Sequence, residues 1–275
     1  MSRLKEVFAI RMQPAFIGYL VAGDPTPEGS VAIAEDMLGC GVDILEIGIP
    51  FSDPVADGPT LQSANERALG AGATPETAFA MSRALRSKTG APLVLMTYAN
   101  IVYRRGTDRF YADARACGAD GVLIVDLPVE EADMVLAAAQ REGIDQIFLI
   151  APTTSPSRIG RIASAGGGYL YVVSAPGVTG VRGTLPGGVL HTLHTVRQRT
   201  SLPLAVGFGI STPSQVRGLC AAGADGIIIG SAFAEIIGRL HEDPDILREE
   251  IRTYTKSIRA AIPRNDARTD DETTP

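Results

Sequence analysis

Lysine is scarce in this chain of 275 residues. The only lysines are Lys5, Lys88 and Lys256, and none lies in a segment that the sequence predicts to be a strand. Enzymes that form a Schiff base with a carbonyl substrate need a lysine held in a buried site. The sequence therefore excludes Schiff-base chemistry on a buried strand.

Histidine and cysteine are equally few, with three of each. His191 and His194 lie three residues apart on a predicted outer helix, so we interpret them as solvated side chains rather than a metal pair. The cysteines lack metal-ligand spacing and lie near predicted helix ends, where a small buried side chain fits. No Rossmann or Walker phosphate motif is present. We therefore predict no metal and no cofactor. The other residues of these two types are His241, Cys40, Cys117 and Cys220.

The net charge and the hydropathy of the sequence indicate a globular protein. The formal net charge of −6 argues against a nucleic-acid-binding surface. Hydrophobic residues make up 45% of the chain, yet no apolar stretch is long enough to span a bilayer. Residues 1–10 lack the apolar core of a signal peptide. We expect a cytoplasmic protein with a substantial core.

Glycine and proline mark the ends of alternating helices and strands. The phrases CGVD, CGAD and AGAD, which begin at residues 40, 117 and 222, each end a predicted helix and precede an apolar run. Thr-Pro or Ser-Pro pairs begin four predicted helices, at residues 26, 74, 155 and 212. Eight strands are predicted between these marks, at 15–22, 42–49, 92–98, 120–126, 145–150, 168–174, 203–207 and 225–230.

This alternation predicts a single (β/α)₈ TIM barrel. Eight strand–helix units in about 250 residues match a closed barrel better than an open doubly wound sheet. No change of composition indicates a second domain, so residues 1–263 are predicted to form one catalytic barrel. Residues 264–275 have no hydrophobic anchor beyond one alanine and are predicted to be a disordered tail. In such barrels the active site lies at the carboxyl ends of the strands.

The segment Leu45–Pro59, LEIGIPFSDPVADGP, places three carboxylates close together in the chain. Glu46 lies in a strand predicted to be buried on both faces, where a charge is costly. Asp53 and Asp57 follow in a loop that three prolines constrain. The structural alternatives are a Glu46 satisfied by neighbouring donors and aspartates that only shape the turn. Together the three carboxylates indicate acid/base chemistry.

Glycine-rich segments follow the last three predicted strands. They are residues 177–180, residues 207–211 and Gly230-Ser231, which opens a predicted helix. Backbone N–H groups approach an anion closely where side chains are absent, and a helix N-terminus adds its positive dipole end. Any one glycine pair is weak evidence, because turns also need glycine. In combination the segments predict phosphate-binding loops after strands 6 to 8.

Five segments resemble the tryptophan synthase α subunit family: LEIGIPFSDPVADGPTLQ (45–62), MTYAN (96–100), YLYVVSAPGVTG (169–180), GFGIS (207–211) and IGSA (229–232). The resemblance covers nearly the whole chain in the family's order and spacing. It implies a lyase that cleaves indole-3-glycerol phosphate to indole and glyceraldehyde 3-phosphate in L-tryptophan biosynthesis. It also implies a partner, the PLP-dependent β subunit of an α2β2 complex.

The resemblance also implies roles for individual residues. Glu46 matches the family's acid/base residue, Asp57 the residue that binds the indole N–H, and Tyr171 the tyrosine beside Glu46. Asp53 lies in the loop that matches the partner contact, and Thr179 lies in the loop that closes over the substrate. The matches to the phosphate site are Gly180, Gly209, Gly230 and Ser231, and those to the indole pocket are Tyr19, Met96, Tyr98, Leu123 and Phe208. Without the resemblance, Tyr98 and Tyr171 are typical of core aromatics.

Two features depart from the family pattern. Gly18 stands where proline is more usual, a change expected at the pocket floor. Ala175-Pro176 precedes the closing loop, where proline fixes a backbone dihedral and puts the coupling to a β subunit in question. The alternatives are a stand-alone lyase that supplies indole to another pathway, a non-catalytic regulatory partner of a β-like subunit, and a phosphate-binding isomerase. The Leu45–Pro59 motif argues against the isomerase, and the intact Glu46 argues against the non-catalytic partner.

Overall fold

A computed structural model of the chain describes residues 2–10, 13–174 and 187–263. Within these residues eight parallel strands close into a barrel in chain order, as the sequence predicts. The strands are β1 Ala15–Val21, β2 Ile44–Gly48, β3 Leu93–Thr97, β4 Gly121–Ile124, β5 Asp145–Ile150, β6 Leu170–Val173, β7 Leu204–Gly207 and β8 Gly226–Ile229. The predicted tail, 264–275, lies outside the described residues.

Helices surround the barrel. In the described residues they are α1 Arg3–Ile10, α2 Pro27–Gly39, α3 Pro59–Gly70, α4 Pro75–Arg86, α5 Ala99–Arg105, α6 Thr107–Ala116, α7 Asp133–Glu142, α8 Pro156–Ala165, α9 Gly187–Arg197, α10 Pro213–Ala221, α11 Ser231–Leu240 and α12 Pro244–Ala261, with a 3₁₀ turn at Val129–Glu131. None of these helices combines the length and apolarity needed to cross a bilayer.

The predicted Thr-Pro helix starts are confirmed. At α2, the Thr26 side chain accepts a hydrogen bond from the Gly29 N–H at 3.0 Å, and proline occupies the first turn. At α10, Thr212 and Gln215 form a capping box. These caps satisfy N–H groups that an isolated helix end leaves unpaired.

Alternate residues of each strand fill the barrel. The interior cluster includes Ile44 of β2, Leu123 of β4 and Tyr171 of β6, and Leu4 of α1 joins it from the amino-terminal end of the barrel. Strand residues of the opposite parity pack against the outer helices. Gly18 is one of these, because a Cβ there would lie 2.6 Å from the Met37 Cε on α2. The expectation that Gly18 alters the pocket floor is therefore wrong.

Candidate active site

Glu46 lies in the middle of β2 and faces the barrel interior. Its neighbours in register are Tyr19 on β1 and Val94 on β3, and only 1% of its surface is exposed. The hydroxyl of Tyr169 donates a hydrogen bond to Glu46 Oε1. The other carboxylate oxygen, Oε2, is buried and has no hydrogen-bond partner among the described residues.

Burial makes Glu46 a weaker acid than an ordinary glutamate. Desolvation raises the pKa of Glu46 from its ordinary value of 4.5 to about 7, although the Tyr169 hydrogen bond acts in the lowering direction. The pKa of Tyr169 is itself raised by burial and by the Glu46 charge, so this phenol remains a donor at neutral pH. Glu46 therefore exchanges a proton readily near pH 7.

Asp57 lies in the loop between β2 and α3, just before the first turn of α3. The loop is pinned on both sides, since the Asp57 N–H donates to the Pro54 carbonyl and the Gln62 amide donates to the Asp57 carbonyl, both at 2.9 Å. Asp57 Oδ2 accepts a hydrogen bond from the Tyr98 hydroxyl at 3.2 Å. Burial raises the pKa of Asp57 to about 6, against the lowering effect of the Tyr98 bond.

The two carboxylates share an unusual property. Asp57 Oδ1, like Glu46 Oε2, is buried without a hydrogen-bond partner in the described part of the chain. Burial raises the pKa of Tyr19, and the charges of Asp57 and Glu46 raise it further, so both carboxylates lie near the Tyr19 hydroxyl. A buried polar oxygen without a hydrogen-bond partner is costly. Carboxyl groups whose pKa is shifted by burial are concentrated at functional sites. The site is suited to a ligand that carries hydrogen-bond donors or exchangeable protons.

Tyrosine rings occupy the positions that glycines leave open. A Cβ on Gly48 would overlap the Tyr19 hydroxyl, and one on Gly230 would lie 2.7 Å from Tyr19 Cδ1. A Cβ on Gly207 would likewise overlap the Tyr171 hydroxyl. These glycines therefore leave room for two tyrosine side chains beside the carboxylates.

The remaining predicted pocket residues line the same interior. Met96 and Leu123 are neighbours in register on β3 and β4, and both contact the interior cluster. The Phe208 ring meets Tyr171 edge-on, with centroids 6.1 Å apart. Phe208 has a φ of 76°, which is costly for a residue with a side chain and is concentrated at functional loops. Tyr98 holds Asp57 rather than only lining the pocket.

The predicted phosphate loops are described only in part. Gly209 has a φ of 70°, and no atom of the described residues lies within 4 Å of the position that a Cβ would occupy. Gly230 is the N-cap of α11 and provides no side-chain cap for the helix, which begins at Ser231. Gly180, Thr179 and Ala175-Pro176 lie outside the described residues.

Sequence reasoning missed Tyr169. We singled out Tyr171, but Tyr169 is the residue that donates to Glu46. Tyr169 directly precedes β6 and is separated from Tyr171 by one residue, so both side chains face the barrel interior, and this periodicity is the signal that could have found Tyr169.

Asp53 is exposed in the β2–α3 loop and lies apart from the chemistry of the buried pair. Within the described ranges, no three residues of the types His, Cys, Asp or Glu are grouped to bind a metal ion.

The raised pKa of Glu46 predicts a pH-dependent stability. Because the folded-state pKa lies above the unfolded value, stability is lost as pH rises from 4.5 to about 7. Glu46→Gln does not titrate, so its free energy of unfolding should exceed that of the wild type by about 2 to 3 kcal/mol more at pH 8 than at pH 5. Urea unfolding at the two pH values measures this, with the exposed Glu242→Gln as control. A difference independent of pH would show that Glu46 titrates normally.

Known proteins share both the sequence and the fold. The sequence matches the family model described as tryptophan synthase alpha chain over residues 7–263. The tryptophan synthase alpha chain of Methanoregula boonei is 49% identical over 261 residues, which cover 95% of this chain and 98% of that one. That of Geotalea uraniireducens is 42% identical over 265 residues, with 95% and 98% covered.

Two solved structures extend the likeness to three dimensions. Tryptophan synthase subunit alpha from Legionella pneumophila has a TM-score of 0.86 at 35% identity, with 95% of this chain and 98% of that chain covered. A chain from the tryptophan synthase α2β2 complex of Pyrococcus furiosus has a TM-score of 0.84 at 36% identity, with 90% and 98% covered. The chain belongs to the tryptophan synthase alpha chain family.

Proposed function

We propose that Glu46 and Asp57 together carry out the lyase reaction of this family, the cleavage of indole-3-glycerol phosphate to indole and glyceraldehyde 3-phosphate. In this role the chain is the α subunit of tryptophan synthase in L-tryptophan biosynthesis. The observation that carries the assignment to these two residues is the pair of buried carboxylate oxygens without partners, Glu46 Oε2 and Asp57 Oδ1. Both belong to carboxyl groups whose pKa burial raises toward neutrality.

Glu46 serves as acid and then as base. Protonated Glu46 gives its proton to indole C3, which makes the ring a leaving group. The carboxylate then takes the proton of the glycerol hydroxyl on the carbon bonded to indole C3. That oxygen becomes the aldehyde carbonyl, and the electron pair of the broken carbon–carbon bond restores the indole ring. Because one proton is given and one is taken, Glu46 ends as it began. A pKa of about 7 suits both steps.

Asp57 stabilises the charge that forms between these steps. Protonation at C3 leaves positive charge on the indole nitrogen, and the unpaired Asp57 Oδ1 is available to accept its N–H. A fixed carboxylate in a buried site stabilises such a charge more than water does. Tyr19 and Tyr171 supply aromatic surface beside the two carboxylates for the ring.

The phosphate group is proposed to bind at Gly209, Gly230 and Ser231, with Gly180 as a further contact. Support comes from α11, whose first N–H groups have no side-chain cap at Gly230. Within the described part of the chain, nothing occupies the position of a Cβ at Gly209, so its backbone is not covered there.

A negative charge at the start of α11 should weaken substrate binding. We expect Ser231→Asp to raise KM for indole-3-glycerol phosphate by about tenfold to a hundredfold, because the new carboxylate repels the phosphate and occupies the helix terminus. Ser231→Ala is the matched control and should change KM much less. Competition by inorganic phosphate, measured in both variants, reports the same site directly. An unchanged KM in Ser231→Asp would assign these loops a purely structural role.

The β subunit is the partner of this chain, and we propose that it contacts the loops after β2, β3 and β4. Asp53 is exposed there, as is Val55, whose exposed fraction is 72%. Tyr103 on α5 and Met134 on α7 follow the next two strands and are 46% and 65% exposed. These apolar side chains all lie at the barrel end that holds the active site. A cytoplasmic location accompanies this proposal and is supported by the family's biosynthetic role.

Turnover of indole-3-glycerol phosphate by the purified chain, with and without a β subunit, tests the proposal. Asp53→Ala should leave the rate of the isolated chain nearly unchanged but lower the activation by the β subunit severalfold, because an interface contact acts only through its energy difference between two states. The exposed Asp245→Ala, on α12, is the control. If the isolated chain already turns over at the rate of the complex, the stand-alone lyase is the correct alternative.

A further inference from the structure

Helix α1 closes the amino-terminal end of the barrel, opposite the active site. Its Leu4 is fully buried in the interior cluster. Gly121 and Gly168 leave room for it, since a Cβ on either would lie about 3 Å from Leu4 Cδ1. Arg3 also forms an ion pair with Asp120 at 2.8 Å. The helix is therefore held in a defined position at the base of the barrel.

Phe8 connects this helix to the active site. Its ring packs against the ring of Tyr169, with centroids 5.8 Å apart and planes tilted by 53°. Tyr169 is fully buried and donates to Glu46 Oε1, and it is the one hydrogen-bond donor to the Glu46 carboxylate within the described residues. Phe8, Tyr169 and Glu46 thus form a continuous series of contacts from α1 to the carboxylate.

We propose that Phe8 is a positioning residue for catalysis, which fixes the Tyr169 ring so that its hydroxyl orients Glu46 toward the substrate. The inference rests on the proposed role of Glu46. A carboxylate held by a single hydrogen bond depends on the placement of that donor, and a displacement of about 1 Å in a catalytic group lowers the rate by up to about a hundredfold. If α1 only closed the end of the barrel, substitutions in it would change the free energy of unfolding but would not change the rate through Tyr169.

The groups that act on Glu46 also define the pH readout. Besides the Asp57 carboxylate, which also acts on Tyr171 and Tyr19, they are the hydroxyls of Tyr169, directly before β6, of Tyr171 on β6 and of Tyr19 on β1. All three keep their protons at neutral pH, because burial raises the pKa of each. A weaker hydrogen bond from Tyr169 therefore raises the pKa of Glu46. The alkaline fall of the kcat/KM profile then moves to higher pH, and no new ionisation appears in the profile.

A double-mutant cycle on the full chain tests the proposal. We expect Phe8→Ala to lower kcat about tenfold, with KM for indole-3-glycerol phosphate within about twofold of the wild type. In a Tyr169→Phe background the same substitution should have less than a twofold effect, because the bond through which it acts is gone. Ile10→Ala, on the same helix but 77% exposed, is the control and should leave kcat unchanged.

Several outcomes would overturn the proposal. These are an equal loss from Phe8→Ala in both backgrounds, a change confined to KM, or no change in kcat. If Phe8→Ala does not fold, Phe8→Leu, which fills the space without the ring contact, is measured in the two backgrounds and decides in the same way. Glu46→Gln separates a failure of this proposal from a failure of the proposed function. Full turnover by Glu46→Gln would refute the proposed function. If Glu46→Gln is inactive but Phe8→Ala keeps the wild-type kcat, only the role of Phe8 is refuted.

Discussion

Glu46→Gln should lower the turnover of indole-3-glycerol phosphate by about four orders of magnitude or more while leaving substrate binding largely intact. The amide has the shape of the protonated acid but cannot release or regain a proton. General acid/base catalysis contributes about 10²–10⁴ per proton transfer, and one group serves two transfers here. The loss should appear in kcat, because both transfers occur after the substrate is bound.

Two controls make this result specific. Glu242→Gln removes an exposed glutamate and should retain full activity. Equilibrium binding of indole propanol phosphate, a substrate analogue that cannot be cleaved, shows whether the Glu46→Gln site is intact. Retention of more than about a tenth of wild-type turnover would remove Glu46 from the mechanism.

The architecture could be predicted from the sequence because each strand is a short apolar run with a clear boundary. For β2 the predicted range, 42–49, contains the observed strand Ile44–Gly48 with two extra residues before it and one after it. Glu46 was identifiable for the same reason, since it is the carboxylate in the middle of that run, whereas Asp43 lies at its start, just before the observed strand. The signal in both cases is local, so no knowledge of the three-dimensional arrangement was needed.

The contacts within the site could not be predicted because they join distant parts of the chain. Tyr169 and Glu46 are 123 residues apart and meet only once the barrel closes. The glycine at 230 shows a second limit. Its position before a helix indicates phosphate binding, but the structure shows that it also makes room for the Tyr19 ring. One residue type serves two purposes, and sequence alone does not separate them.

Asp57→Asn should lower kcat by about 10²–10³, less than Glu46→Gln but far more than any change at the loop surface. The amide oxygen can still accept the indole N–H, so substrate binding should change little. What is lost is the negative charge opposite the protonated indole, which forms only on the way to the transition state. Single-turnover cleavage of indole-3-glycerol phosphate isolates this step from product release.

The pH profile gives Asp57 a signature that a structural role would not produce. Activity requires Asp57 ionised and Glu46 protonated, so kcat/KM, which reports the free enzyme, should fall below pH about 6 and above pH about 7, the pKa values that burial gives the two groups. Asp57→Asn should abolish the fall on the acid side and keep the fall on the alkaline side. Asp53→Asn, measured in the isolated chain, should keep both. If the acid-side fall persists in Asp57→Asn, another group carries that ionisation, and Asp57 serves only to hold the loop through Tyr98.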